Sequence, residues 1–112
     1  MSNEPTPAFQ LLSTPLAKEQ IRYLCVVADQ TGSRELLYQT LKSMENALLT
    51  CPRDWGDPFY NLTGLEMIAY RRFQGQLVIV YAVHEQESVV WLRSIEPAPG
   101  HLLFGDPNFP LR

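Results

Sequence analysis

Three arginines in the C-terminal half stand among residues able to do chemistry beside them. Arg71 and Arg72 are adjacent in "AYRRFQG", and Arg93 follows in "VVWLRSI". A guanidinium keeps its charge at any ordinary pH and offers a fork of N–H donors, so such residues can hold a phosphate or a carboxylate. Neighbouring side chains on a strand point to opposite faces, so only one of Arg71 and Arg72 can enter a given groove. Arg93 lies two residues after Trp91, where the alternation puts it on one face with Trp91 and Ile95 and lets it stack on the indole. Tyr70, Tyr81 and His84 complete the group. An imidazole titrating near ~6.5 can act as a base, but His84 opens the turn "HEQES" beside Glu85 and Glu87, where a solvated ring is the simpler expectation. His101 lies further on, in the tail.

Other chemistries find little support. Asp54 and Asp57 in "RDWGD", with Glu66 beyond, are carboxylates of the kind that bind divalent ions, but an acidic loop needs no metal to exist, and none is expected. Cys25 and Cys51 have no metal-ligand spacing, and two cysteines make no disulfide framework. No serine sits in a nucleophile elbow, and no glycine-rich phosphate loop occurs. No cofactor is implied.

These residues need a scaffold, and 112 residues suffice for one domain. With a net charge of −3 and a sequence pI near 5.3, nucleic-acid binding would need a local basic patch. No apolar run is long enough to span a membrane, and "MSNEPTPAFQ" does not read as a secretory signal. Reduced thiols and a cytoplasmic location are the expectation.

Residues 1–7 read as a flexible arm, residues 8–99 as the domain and residues 100–112 as a tail with enough Leu and Phe to pack on it. "AFQLLS" (Ala8–Ser13) reads as a strand. Thr14-Pro15 is a helix-start signal, and Ala17, Ile21, Leu24 and Ala28 make one helical face. Gly32 closes that helix and Ser33 caps a second, whose stripe is Leu37, Leu41, Met44 and Leu48. Pro52 stops it, and "CPRDWGDPFYNLTG" (Cys51–Gly64) reads as a loop. The period then becomes strand-like over Met67–Phe73, Gln76–Val83 and Val89–Ile95, with a tight turn at Gln74-Gly75. The fold class is α+β: a strand, a helical hairpin packed on one sheet face, and a three-stranded antiparallel meander. The middle strand, "LVIVYAV", is apolar on both faces and should be central.

In this order the elements resemble the RelE/ParE toxin superfamily of bacterial toxin–antitoxin modules. The resemblance rests on "NLTGL" (Asn61–Leu65), similar to that family's Leu-x-Gly segment, and on "MIAYRRFQGQLVIVYAV", similar to its basic strand, glycine turn and Arg-x-x-Tyr strand. It covers roughly residues 8–96. What it implies is a cytoplasmic toxin-like protein with a cognate antitoxin-like partner and a ribosome/mRNA or DNA gyrase target. A homodimer remains open. For a ribosome-dependent endoribonuclease it carries Arg72 and Tyr81 over as catalytic positions, with Arg93 as an added cation. The chain departs from the pattern where an arginine is usual, at Val78, and where a basic end is usual, at "EPAP" (Glu96–Pro99). Two lost cations remove much of the charge stabilisation that phosphoryl chemistry needs. Ribosome-dependent cleavage should therefore be weak or absent. The alternatives are a non-catalytic protein-binding module on the same scaffold and a ParE-type gyrase poison. The sheet face away from the helices should carry Tyr70, Arg72 and Trp91, and the candidate binding residues are Tyr70, Arg71, Arg72, Trp91 and His84. Tyr81, in line with Leu77 and Ile79, reads as a core tyrosine with a tethered hydroxyl.

Overall fold

The computed structural model describes residues 8–111; the expected arm at residues 1–7 lies outside them. Strand β1 (Gln10–Ser13) leads into helix α1 (Pro15–Thr31). The Thr14 side chain accepts the Ala17 N–H at 3.2 Å, and Pro15 occupies the first turn, where its missing N–H costs nothing. Gly32 ends the helix in the left-handed region at φ 75° and donates its N–H to the Ala28 carbonyl. Helix α2 (Arg34–Thr50) follows. Ser33 precedes it but makes no side-chain cap; its hydroxyl is hydrogen-bonded to Thr31 Oγ1 instead, at 3.0 Å.

The expected loop at Cys51–Gly64 is corrected: it holds a short helix α3 (Pro52–Trp55), a strand β2 (Asp57–Leu62) and the start of a 3-10 turn at Thr63–Leu65. Strands β3 (Met67–Gln74), β4 (Leu77–His84) and β5 (Val89–Pro97) then form the antiparallel meander. The β3–β4 turn is Gly75-Gln76, one residue later than expected. Both residues have positive φ, 58° and 64°, the conformation that matches the twist of a two-residue hairpin.

The α+β class stands, with three helices on a five-stranded mixed sheet rather than on a meander alone. Strand order is β1-β5-β4-β3-β2; β1 runs parallel to β5 and the other pairs are antiparallel. The core lies between the sheet and the helical hairpin. Leu24, Met44 and Leu48 meet Leu77, Ile79, Tyr81, Val83, Val90, Leu92 and Ile95, while Leu37 and Leu41 are half-buried at its margin. The C-terminal segment adds Leu103 and Phe109 to this core, and Phe109 meets the Tyr23 ring edge-on at 5.6 Å. Gln20 is fully buried on α1. Its Nε2 donates to the Pro110 carbonyl at 2.9 Å and its Oε1 accepts the Ile95 N–H at 2.8 Å, so neither end of the amide is left unsatisfied.

Candidate functional site

The helices leave the other sheet face open, and four large aromatic side chains stand exposed there: Phe59 and Tyr60 on β2, Phe73 on β3 and Trp91 on β5. Two arginines lie among them. The Arg71 guanidinium stacks over Phe59 at 4.5 Å and lies 5.5 Å from the Phe73 centroid. Arg93 donates from Nη1 to Tyr60 Oη at 2.6 Å.

That last bond spans three strand spacings, from β5 to β2, or about 14 Å at ~4.8 Å per step. Its path is opened by small residues. Tyr60 pairs with Ala69, Ala69 with Ala82, and Ala82 with Trp91. With only methyl groups in the middle of that row, the tyrosine and the arginine lie over the sheet and meet end to end. Ala69 and Ala82 are wholly shielded from solvent on a face that no helix covers.

A β-bulge aims Arg93. Tyr81 pairs with Leu92 and Val80 with Ser94, so Arg93 is the extra residue with no partner on β4. The expected alternation of Trp91, Arg93 and Ile95 on one face is thereby corrected: Ile95 is buried in the helix-side core, and Arg93 contacts Tyr60 rather than Trp91.

The arginines carry charge without a counter-charge. Among the described residues the ion pairs are Arg22–Glu19 and Arg34–Asp29. Asp57 is the register partner of Arg71 and still makes no ion pair with it. The edge strand that bears Phe59 and Tyr60 is a poor template for strand addition. Pro58 removes a donor, and the register slips between Pro58 and Tyr60, two devices that blunt an edge.

The expected sites separate into two places. Arg71 and Trp91 are on the open face. Tyr70 and Arg72 are not, contrary to the expectation, because β3 turns its Tyr70 side toward the helices. Tyr70 is buried and stacks on Tyr81, ring centroids 5.4 Å apart and 10° from parallel. Arg72 lies over the Trp55 ring at 5.1 Å, donates from Nη1 to the Trp55 carbonyl at 2.8 Å, and donates from Nε and Nη2 to Gln74 Oε1. It clamps α3 to the sheet. Tyr81 is buried, and its hydroxyl donates to the Pro52 carbonyl at 2.6 Å. Burial pushes the phenol far above its ordinary pKa, which favours the protonated hydroxyl. Gly56 closes this corner: a Cβ there would come within 2.6 Å of Tyr81 Oη and 3.0 Å of the Arg71 carbonyl.

His84 is half-buried at the turn, its Nδ1 accepting the N–H groups of Gln86 and Glu87 at 3.2 and 3.0 Å. Val78 pairs with Phe73 and Glu96 and is half-buried. Sequence reasoning missed Phe59 and Tyr60 altogether, having read their segment as loop. The available signal was "PFYNL", aromatic and apolar residues between turn formers. Among the described residues no group of three His, Cys, Asp or Glu side chains is placed to hold a metal ion, and no helix is long and apolar enough to cross a membrane. Comparison with protein-family models gives no match to this chain, and comparison with curated proteins gives none either.

Proposed function

We propose that this chain is a toxin-like component of a bacterial toxin–antitoxin pair that works by binding a protein partner through the open face of its sheet, with ribosome-dependent mRNA cleavage weak or absent. The observation that carries the reading is the pair Arg71 and Arg93, both without a carboxylate partner among the described residues and set among Phe59, Tyr60, Phe73 and Trp91. Tryptophan, tyrosine and arginine are the side chains that dominate binding energy at protein interfaces. Two guanidiniums in a chain of net charge −3 suit carboxylates on a partner segment better than a nucleic-acid backbone, which calls for a longer track of cations.

Three features weigh against the nuclease. Arg72 already donates to Trp55 and Gln74. The Tyr81 hydroxyl is buried against Pro52. Neither residue shares a face with Arg71 or Arg93, so those two cations do not converge with Arg72 and the Tyr81 hydroxyl. The likeness to the RelE/ParE superfamily supports the partner's kind, an antitoxin-like segment.

The test is co-expression with the product of the neighbouring reading frame, followed by purification through a tag on this chain. A stoichiometric complex is expected, lost in the Arg71→Glu/Arg93→Glu double variant and kept in Arg72→Ala. Absence of any complex at native expression ratios refutes the toxin–antitoxin reading. Primer extension on translating ribosomes checks the second half: codon-phased cuts abolished by Arg72→Ala would make the protein a working nuclease.

A further inference from the structure

We propose that the cavity between the helical hairpin, the β3–β4 turn and the C-terminal segment is a binding site for a small neutral molecule with an apolar body and one hydrogen-bonding group. The cavity lies on the helix side of the sheet, away from the open face, and holds about 280 Å³. Leu24, Leu77 and Leu103 are buried in its wall, and Leu37 is half-buried beside them. Leu36 and Leu102 also line it, 65% and 72% exposed. Two lining leucines left in water are what a bound apolar molecule would cover. Drug-sized ligands occupy about 300–1,000 Å³, so this volume suits a fragment-sized one.

The lining chemistry decides the ligand's charge. No Lys, Arg, Asp or Glu lines the cavity, so an ion entering it would lose hydration with no opposite charge to replace it. Most of its polar side chains are already engaged within the chain. Thr40 Oγ1 donates to the Leu36 carbonyl at 3.0 Å, and Thr31 Oγ1 to the Val27 carbonyl at 2.9 Å. Ser33 Oγ is hydrogen-bonded to Thr31 Oγ1. His101 Nδ1 accepts the Leu103 N–H at 3.0 Å, which leaves the proton of the neutral ring on Nε2. Burial lowers the pKa of this imidazole, in keeping with a neutral ring. Among the described residues its Nε2–H and the Gln76 side-chain amide have no hydrogen-bond partner and remain for a ligand, enough to orient one hydroxyl, carbonyl or ester group.

The experiment is an NMR titration of the ¹⁵N-labelled chain at pH 7.5 with three probes of equal length: 1-hexanol, hexanoate and hexylammonium. Hexanol is expected to give saturable amide shifts confined to Thr31, Gly75, Leu77, Leu103 and their neighbours. The two ions are expected to bind at least about tenfold more weakly, the penalty for an unpaired charge. Equal binding of all three, shifts scattered over the surface, or no saturation up to the solubility of hexanol would overturn the proposal. Ala28→Leu fills the cavity from α1, and a folded variant that still binds hexanol would overturn it as well. The three-probe comparison on the unmodified chain decides the matter if that variant does not fold.

Discussion

Replacing Tyr81 with phenylalanine removes one oxygen and keeps the ring, which makes it the sharpest test of whether this tyrosine acts by chemistry or by structure. The ring's contacts survive: the stack on Tyr70 at 5.4 Å and the Trp55 ring at 6.0 Å. What is lost is the 2.6 Å bond from the hydroxyl to the Pro52 carbonyl, in a buried setting. A buried acceptor stripped of its donor costs about 1–3 kcal/mol. In a domain near this size each kcal/mol moves the melting temperature by about 4 °C, so a fall of about 4–12 °C is expected. Urea unfolding followed by tryptophan fluorescence gives the free energy directly, with m unchanged because the surface exposed on unfolding is the same. The Trp55 signal should also shift, since the lost bond anchors the first residue of α3. A Tyr81→Phe protein as stable as the parent, yet defective in cleaving RNA or in holding a partner, would refute the reasoning and restore the hydroxyl as a working group.

Gly56→Ala should destabilise by about 1–3 kcal/mol, because the new methyl meets both Tyr81 Oη and the Arg71 backbone carbonyl, and the backbone cannot yield as a side chain can; thermal melts against the parent would show it. Leu48→Ala, at a fully buried position, should cost about 2–5 kcal/mol, with half-buried Leu41→Ala costing less in the same urea titration. The His101 pKa is lowered by burial, so the unfolded chain takes up this proton before the folded one does. Its contribution to stability is therefore complete above the unfolded value of ~6.5 and declines as pH falls below it toward the folded pKa. His101→Gln should flatten that part of the stability profile, measured by urea midpoints from pH 7.5 to 5.

Helices α1 and α2 were legible because each signal was local and redundant, whereas α3, inside the segment read as a loop, was not. Thr14-Pro15 starts α1, Gly32 closes it, and the stripe Leu37, Leu41, Met44, Leu48 faces the core along α2. The meander was legible from its change of period and its glycine turn. Strand β2 was not. It is an outer strand exposed along most of its length, so no burial-driven alternation marks it, and Pro58 with the flanking glycines imitates a loop. The open face was half-read for a reason of parity. In β3 the alternation is regular, but nothing in "MIAYRRF" says which set faces inward, and the structure buries Tyr70 while sending Arg71 and Phe73 outward. In β5 one extra residue at Arg93 breaks the count. The Tyr60–Arg93 contact could not be foreseen, since it depends on two alanines on two other strands lying in one row.

The parallel pairing of β1 with β5 bears on how the protein is made. Among the described residues, the earliest strand in chain order finds its sheet neighbour in the latest, with Gln10 opposite Val89 and Ser13 opposite Leu92. The last strand also sits inside the sheet, between β1 and β4. At ~5–20 residues per second, synthesis takes roughly 2–10 s to go from the end of α2 to the end of β5. Until β3 and β4 emerge, the helical hairpin holds an apolar stripe that no strand of the meander covers, and Val90, Leu92 and Ile95 of β5 join that core last. Pairings between distant segments are also the slow ones to form. The nascent chain therefore passes through a window in which its sticky side faces water, and slowing translation of residues 50 to 97 would widen it.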